Sequence, residues 1–512
     1  MTLDLKTTPA ARKTPGGTLP EINLDARRNL PTFLDAELHL MHIAGQRVPA
    51  ASGETLPNID PATEGALPCV PRGTAQDVDS AVVAARQALL DPAWARMSAD
   101  GRGRVLSQIA DLIEVNAEEL AILDSVNMGV PRMISDQMLA ESAEIFRYYA
   151  GWPTKLFGTT VPTAHDRLGY TRKEPLGVVG IIWGWNGPMA QLPSKLAPAL
   201  ATGNTVVLKP AETASLSTLR LAELLESTDL PAGVINVVTG LGAEAGEALV
   251  AHPGVAKIAY TGSTAIGKHV QQVAAGTLKN VTLELGGKSP TVVFADADLE
   301  AAARGAAVAF LGNAGQACVA GSRVLVQEEV REEFTTLLAQ AVEAFAPLDP
   351  FMPGSPVGAL ATKAHFDRVQ SYVDGAVAEG ARVVTGGTRY GNQGFFFTPT
   401  LIDDVTRDMT VVREEIFGPV GVVTSFTDID DAIAQANDTQ YGLAASVWTT
   451  NLTTAHQMAA AIQAGTVWVN TWGEQANMAL PFGGYKQSGV GREGGLEVLD
   501  AYTQSKAVLI AL

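Results

Sequence analysis

The chain is predicted to be an α/β protein built on mostly parallel sheets with helices on both faces. Three observations carry this. First, short apolar runs at 176–183, 204–210, 234–238, 257–261 and 280–285 are separated by helical spacing at 186–200, 216–227, 243–251 and 266–275. Second, 176–183 is apolar throughout and the other runs are mainly apolar rather than alternating, as expected of strands buried on both faces, whose crossovers are helices. Third, the same alternation resumes after residue 299 and continues to 470 in a chain of 512 residues, which predicts two or three domains.

The elements follow in order. Residues 1–30 are rich in Thr, Pro, Ala and charge and read as a mobile tail. A short strand is expected over 39–48, and a turn over Asn58-Ile59-Asp60-Pro61-Ala62-Thr63-Glu64-Gly65. Cys69 lies in an apolar strand-like run, where plain packing is the usual role. Helical spacing covers 75–90, 102–127 and 136–150, with Thr74 or Asp77 positioned to cap the first. In the second half, helices are expected at 299–309, 329–345, 362–379, 429–437 and 452–464. Strands are expected at 323–327, 381–384, 398–403, 420–426, 444–448 and 465–470. The chain ends in an apolar strand at 507–511. An open edge there is a liability, so a partner, another subunit, is expected to cover it.

Composition bounds the function. Hydrophobic content of 46% and charged content of 18% describe a globular protein with a large core. No apolar run is long enough for a bilayer, and the first thirty residues have neither a secretory h-region nor an acid-free presequence, so no membrane partner is expected. Two cysteines, Cys69 and Cys318, make no disulfide framework, and a reducing cytoplasm is the natural compartment. A net charge of −18 disfavours nucleic acid, yet glycine turns, helix N-termini and one lysine can still hold an anionic cofactor locally. Metal-ligand spacing is absent, and no metal is expected.

Six stretches carry chemistry. Cys318 lies among small residues in Gly315-Gln316-Ala317-Cys318-Val319-Ala320-Gly321, and Glu284 ends a strand-like run in Leu283-Glu284-Leu285-Gly286-Gly287-Lys288-Ser289-Pro290. A thiol that attacks and a carboxylate that later activates water could divide a two-step reaction. Lys209-Pro210-Ala211-Glu212 leaves a strand at its carboxyl end, where open α/β sheets bind ligands. The lysine suits ribose hydroxyls, and Glu212 favours a free ribose over a 2′-phosphate. Tyr260-Thr261-Gly262-Ser263-Thr264-Ala265-Ile266-Gly267 reads as strand, turn and helix start, suited to a pyrophosphate. Trp183-Gly184-Trp185-Asn186-Gly187 puts an amide just after a strand, either as an oxyanion donor or as a helix N-cap. Glu414-Glu415-Ile416-Phe417-Gly418-Pro419 adds a carboxylate beside an aromatic ring.

These stretches, with Pro481-Phe482-Gly483-Gly484-Tyr485-Lys486-Gln487-Ser488-Gly489, resemble the aldehyde dehydrogenase superfamily in order and spacing from about His39 to Leu512. The resemblance implies two doubly wound Rossmann-like domains and a small β oligomerisation arm. The NAD-binding domain would take 31–156 and 174–286, the catalytic domain 287–487, and the arm 157–173 with 488–512. It implies NAD(P)-dependent oxidation of a small-molecule aldehyde to an acid by a homodimer or homotetramer, with NAD preferred and NADP possible. The catalytic set implied is Cys318, Glu284, Asn186 and Lys209. The cofactor would be lined by Ile182, Trp183, Trp185, Lys209, Glu212, Gly240, Gly262, Ser263, Ile266, Leu285, Gly286, Glu415 and Phe417.

Departures from the family pattern point at the substrate. Gly184 and Gly187 flank Trp185-Asn186 where proline and an aromatic residue are usual; Ser194 and Ala476 stand where bulky residues are usual. With Met189, Ala317, Val319 and Phe482 they would line a roomy tunnel suited to bulky aromatic or terpenoid aldehydes. Two alternatives stay open. One is a CoA-acylating semialdehyde dehydrogenase, which Glu284 disfavours; the other is a silent NAD-binding protein, which intact Cys318, Glu284 and Asn186 disfavour.

Overall fold

The computed structural model describes Asn23, Arg27 and residues 29–354, 356–473 and 477–512. Most of the expected tail and Ala476 therefore lie outside the described residues. Within the tail's span, Arg27 is ion-paired to Asp60 and to Asp349 (3.0 Å).

Five parallel strands form the heart of the first sheet. Val178–Ile182 lies between Thr205–Lys209 and Lys257–Thr261, with Ile235–Val237 and Asn280–Glu284 outside them. Val178–Ile182 is buried along its whole length, as an apolar strand between helical layers must be. The chain winds outward from this strand in one direction, then returns and winds outward in the other. The switch point thus falls between the carboxyl ends Ile182 and Thr261, which opens a crevice there. The expected single strand over 39–48 is a hairpin instead, Met41–Ile43 with Gln46–Val48, on one edge of this sheet. Ala44 and Gly45 both take positive φ (54° and 75°), the conformation of a two-residue hairpin turn.

The second sheet centres on Pro290–Val293, flanked in parallel by Arg323–Gln327 and Ala444–Trp448. Val420–Phe426, Thr400–Asp403 and Thr466–Val469 extend it in parallel, and Arg382–Thr385 closes one edge antiparallel. Helix Leu299–Leu311, started by the Asp298 carboxylate accepting from the Ala301 N–H (3.0 Å), buries Ala306, Phe310 and Leu311 against this sheet. Each large apolar side chain buried this way contributes roughly 1.5–3 kcal/mol. This anchoring matters because Cys318 follows the helix directly.

The third unit joins Thr160–Val161, Arg167–Pro175 and Thr503–Ala511 in one antiparallel sheet. Its boundary differs from the expected 488–512. Gly489–Val490 pairs with Asn280–Glu284 on the edge of the first sheet, and Val498, Leu499 and Tyr502 are buried in that domain's core. Hydrophobic burial thus ties 488–502 to the first domain, and only Thr503–Ala511 reaches the arm. Among the described residues that strand is paired on one side only, and Leu509 and Leu512 are exposed.

Candidate active site

The Cys318 loop is rigid for local reasons. After helix Leu299–Leu311, Asn313, Ala314 and Gly315 take left-handed conformations in succession (φ 53°, 53° and 71°). A Cβ on Gly315 would lie 2.0 Å from the Gly418 carbonyl oxygen, so only glycine fits. Left-handed non-glycine residues cost energy and persist only where bonding over-determines them. Gln316 supplies that bonding. Fully buried, it donates to the carbonyls of Asn313 (3.1 Å) and Ala359 (3.2 Å) and accepts from the Ala361 N–H (2.9 Å). Gly287, three residues after Glu284, backs directly onto the nucleophile loop: a Cβ there would lie 2.3 Å from the Cys318 carbonyl oxygen.

Asn186 bridges to this loop. Helix Pro188–Ala201 is capped by Gly187, not by Asn186, so the amide is released from the capping role. Asn186 Nδ2 donates to the Gln316 carbonyl (3.0 Å), and its backbone carbonyl accepts from Asn313 Nδ2 (3.0 Å). Its Oδ1 accepts from Gln191 Nε2 (2.7 Å). One N–H of the Asn186 amide is thus committed two residues before Cys318, and the other remains for a ligand.

Burial raises the pKa of both expected reactants. Burial, then the charges of Glu415 and Glu284, push the Cys318 thiol up to about 12. Glu284 is 4% exposed, and among the described residues neither carboxylate oxygen has a hydrogen-bond partner. Desolvation and the nearby Glu493 raise its pKa well above the ordinary value, while Lys195 and Arg492 pull it down. Glu493 is itself ion-paired to the buried Lys195, and it accepts from Ser194 Oγ (2.8 Å). Neither Lys195 nor Glu493 was singled out from the sequence. The available signal was a lone charge inside the apolar run Leu192-Pro193-Ser194-Lys195-Leu196.

The crevice at the switch point collects the expected cofactor residues. Ile182 and Trp183 end the central strand; Lys209 ends the next, buried, with its ammonium 3.3 Å from Glu212 Oε2. Burial lowers the Lys209 pKa and Glu212 partly restores it. Across the crevice Gly262 and Ser263 lead into helix Thr264–Ala275, where Ser263 is the N-cap and Ile266 is half exposed. Thr261 Oγ1, at the end of the strand, is buried without a hydrogen-bond partner among the described residues. Gly240 (φ 140°) backs onto Gly73, away from that helix. From the catalytic domain, Glu415 Oε1 accepts from the Gly287 N–H (3.1 Å), and Gly286 lies beneath the same carboxylate. Burial pushes Glu415 up to about 7. The Phe417 ring stands edge-on to Trp185 (5.4 Å), and His365 Nε2 bonds the Phe417 carbonyl (2.7 Å). Leu285 packs on Gly267 and donates its N–H to the Ser488 carbonyl (2.9 Å). A strand-end lysine–carboxylate pair, a helix N-terminus and a buried unpartnered hydroxyl fit a dinucleotide.

The expected pocket residues divide. Ala317 and Val319 flank Cys318 and are partly open, and Phe482 is held by paired backbone bonds to Glu493 (both 2.7 Å). Gly187 is buried facing Met138, whose Cε would lie 3.4 Å from an added Cβ. Two placements differ from expectation. Met189 is fully buried in the core of the first domain, because its helix turns that face inward. Ser194 turns to Glu493 and to the Gln191 carbonyl (2.8 Å), because its hydroxyl finds acceptors there.

The chain is similar to known proteins over most of its length. The model of the aldehyde dehydrogenase family matches residues 48–508. An aldehyde dehydrogenase of Alternaria alternata is 45% identical over 92% of this chain and 95% of its own. The putative aldehyde dehydrogenase DhaS of Bacillus subtilis is 43% identical over 96% of this chain and 100% of its own. Among solved structures, the NAD+ complex of an aldehyde dehydrogenase from Bacillus cereus superposes with a TM-score of 0.91 at 44% identity, covering 97% of this chain and 100% of that one. A mutant of the indole-3-acetaldehyde dehydrogenase AldA of P. syringae, in complex with NAD+ and IAA, gives 0.91 at 41% identity over 97% of this chain and 100% of that one. Fold, motif order and these matches together make the chain a member of the aldehyde dehydrogenase family, oxidoreductases acting on aldehydes.

Proposed function

We propose that this chain oxidises a bulky aromatic or terpenoid aldehyde to its carboxylic acid, with NAD preferred over NADP. The observation that carries the mechanism is the buried, unpartnered Glu284 carboxyl whose charge reaches Cys318. The Cys318 thiol gives up its proton to solvent, and the thiolate sulfur attacks the aldehyde carbon, forming a C–S bond as the carbonyl π pair moves onto oxygen to give an oxyanion. The free N–H of Asn186 and the Cys318 backbone N–H stabilise that oxyanion. NAD, when bound, would supply a hydride acceptor, and Cys318 would then carry the acyl group as a thioester. Glu284 takes a proton from water, water attacks the thioester, and the acid leaves as the thiol is restored.

Lys209 and Glu212 are the groups for a ribose, and the Glu212 charge disfavours a 2′-phosphate. Glu415, Phe417 and Trp185 line the opposite side of the crevice. The glycines at 184 and 187 support room for a large substrate, as does the likeness to an enzyme acting on indole-3-acetaldehyde. The open edge of Thr503–Ala511 and the exposed Leu509 and Leu512 favour a homodimer or homotetramer joined through the arm. A cytoplasmic location accords with the two free cysteines.

The test is NADH formation from a panel of aldehydes, with NAD and NADP in parallel and Cys318→Ala as control. Preference for an aromatic or terpenoid aldehyde over acetaldehyde, with acid as product, is the expected result. Preference for acetaldehyde would reject the substrate class. Acyl-CoA in place of acid when CoA is added would reject hydrolysis.

A further inference from the structure

We propose that Gln191 is a positioning residue for the oxyanion site, setting the Asn186 amide so that its N–H₂ faces the Cys318 loop; this rests on the reading of Asn186 given above. An asparagine amide can flip, and a flipped Asn186 would turn an acceptor toward the developing oxyanion. Three bonds decide the orientation here. Asn186 Nδ2 donates to the Gln316 carbonyl (3.0 Å), which can only accept. Asn186 Oδ1 accepts from Gln191 Nε2 (2.7 Å), the shorter of the two. Asn313 Nδ2 donates to the Asn186 backbone carbonyl (3.0 Å) and so holds its main chain from the other side.

Gln191 is an unexpected residue for this place on packing grounds. It lies one turn into helix Pro188–Ala201, next to the core residues Met189 and Leu192. Its own Oε1 is buried without a hydrogen-bond partner. Burying such an acceptor is unfavourable, and leucine or methionine would fill the same space without that loss. The amide is explained if its donor end is needed. Gly184 leaves space at this spot: a Cβ on it would come within 3.1 Å of Asn186 Oδ1 and 3.7 Å of Gln191 Oε1. A side chain at 184 would crowd both amides.

A double-mutant cycle separates positioning from packing. Gln191→Leu, Gln191→Glu, Asn186→Ala and the pair Asn186→Ala/Gln191→Leu would be compared by thermal melting, NAD binding, kcat and KM. Gln191→Leu should lower kcat about tenfold, with the KM for NAD and the melting temperature little changed. Gln191→Glu should lower kcat further, because a carboxylate accepts from the Asn186 amide and draws its donors away from Cys318. On the Asn186→Ala background, Gln191→Leu should have no further effect on kcat. An equal fold loss on both backgrounds would overturn the proposal, as would Gln191→Glu retaining full kcat. Undiminished kcat in Asn186→Ala alone would instead reject the oxyanion role of Asn186, and the two failures are distinguishable.

Discussion

In the cofactor-free protein Cys318 should react slowly with alkylating agents despite being partly open to solvent. Burial and the charges of Glu415 and Glu284 raise its thiol from 9.0 to about 12. A rise from 9 to 12 leaves about a thousandfold less thiolate near neutral pH, worth about 4 kcal/mol at 1.36 kcal/mol per pH unit. Only the thiolate attacks, so the rate with iodoacetamide should carry the whole factor. The assay follows carbamidomethylation of the Cys318 peptide by mass spectrometry from pH 7 to 10, with a small thiol as reference. The logarithm of the rate should climb by one per pH unit across that window, because the ionisation lies above it. Glu415→Gln removes the larger of the two named charges and should speed alkylation. A plateau below pH 9 would refute the reasoning, since it would mean that the resting site stabilises a thiolate.

Glu284→Gln should still release NADH once per site in a burst, while steady-state turnover falls by about 10²–10⁴, the usual contribution of a general base; stopped-flow absorbance at saturating aldehyde measures both. The Glu493 charge raises the Glu284 pKa, so Glu493→Gln should let Glu284 ionise at lower pH and move the acid limb of the turnover profile downward. The same change leaves buried Lys195 unpaired and should cost roughly 3–5 kcal/mol, read as a lower Tm. Gly315→Ala should lower Tm and kcat together, since φ 71° and a Cβ 2.0 Å from the Gly418 carbonyl impose at least ~1–3 kcal/mol of strain. Gly312→Ala, with nothing within 4 Å, should be nearly neutral. The proposed assembly through the arm is tested by sedimentation: removing 503–512 should lower the sedimenting mass to that of one chain.

The sequence by itself determined the class of fold and named the candidate reacting groups. Fully apolar strands separated by helical spacing can be buried only in a covered parallel sheet, so 176–183 and 204–210 were legible as its core. Cys318 and Glu284 were legible because few other thiols or strand-end carboxylates compete with them in motifs of this kind. The hairpin at 39–48 was hidden because its turn depends on backbone dihedrals at Ala44 and Gly45. Only the tertiary structure decided which side chains face one another. Met189 and Ser194 sit two and seven residues from Gly187 on one helix, yet one enters the core and the other meets Glu493, nearly three hundred residues away. The same long-range folding brings Gln191, Asn186 and the Gln316 carbonyl into one chain of bonds, and seats Lys195 against Glu493 beside Glu284. Hydrophobic patterning records how much of a residue is buried. It carries no record of the polar partner met inside, because that partner comes from another element and is fixed only when the sheets and helices close around it.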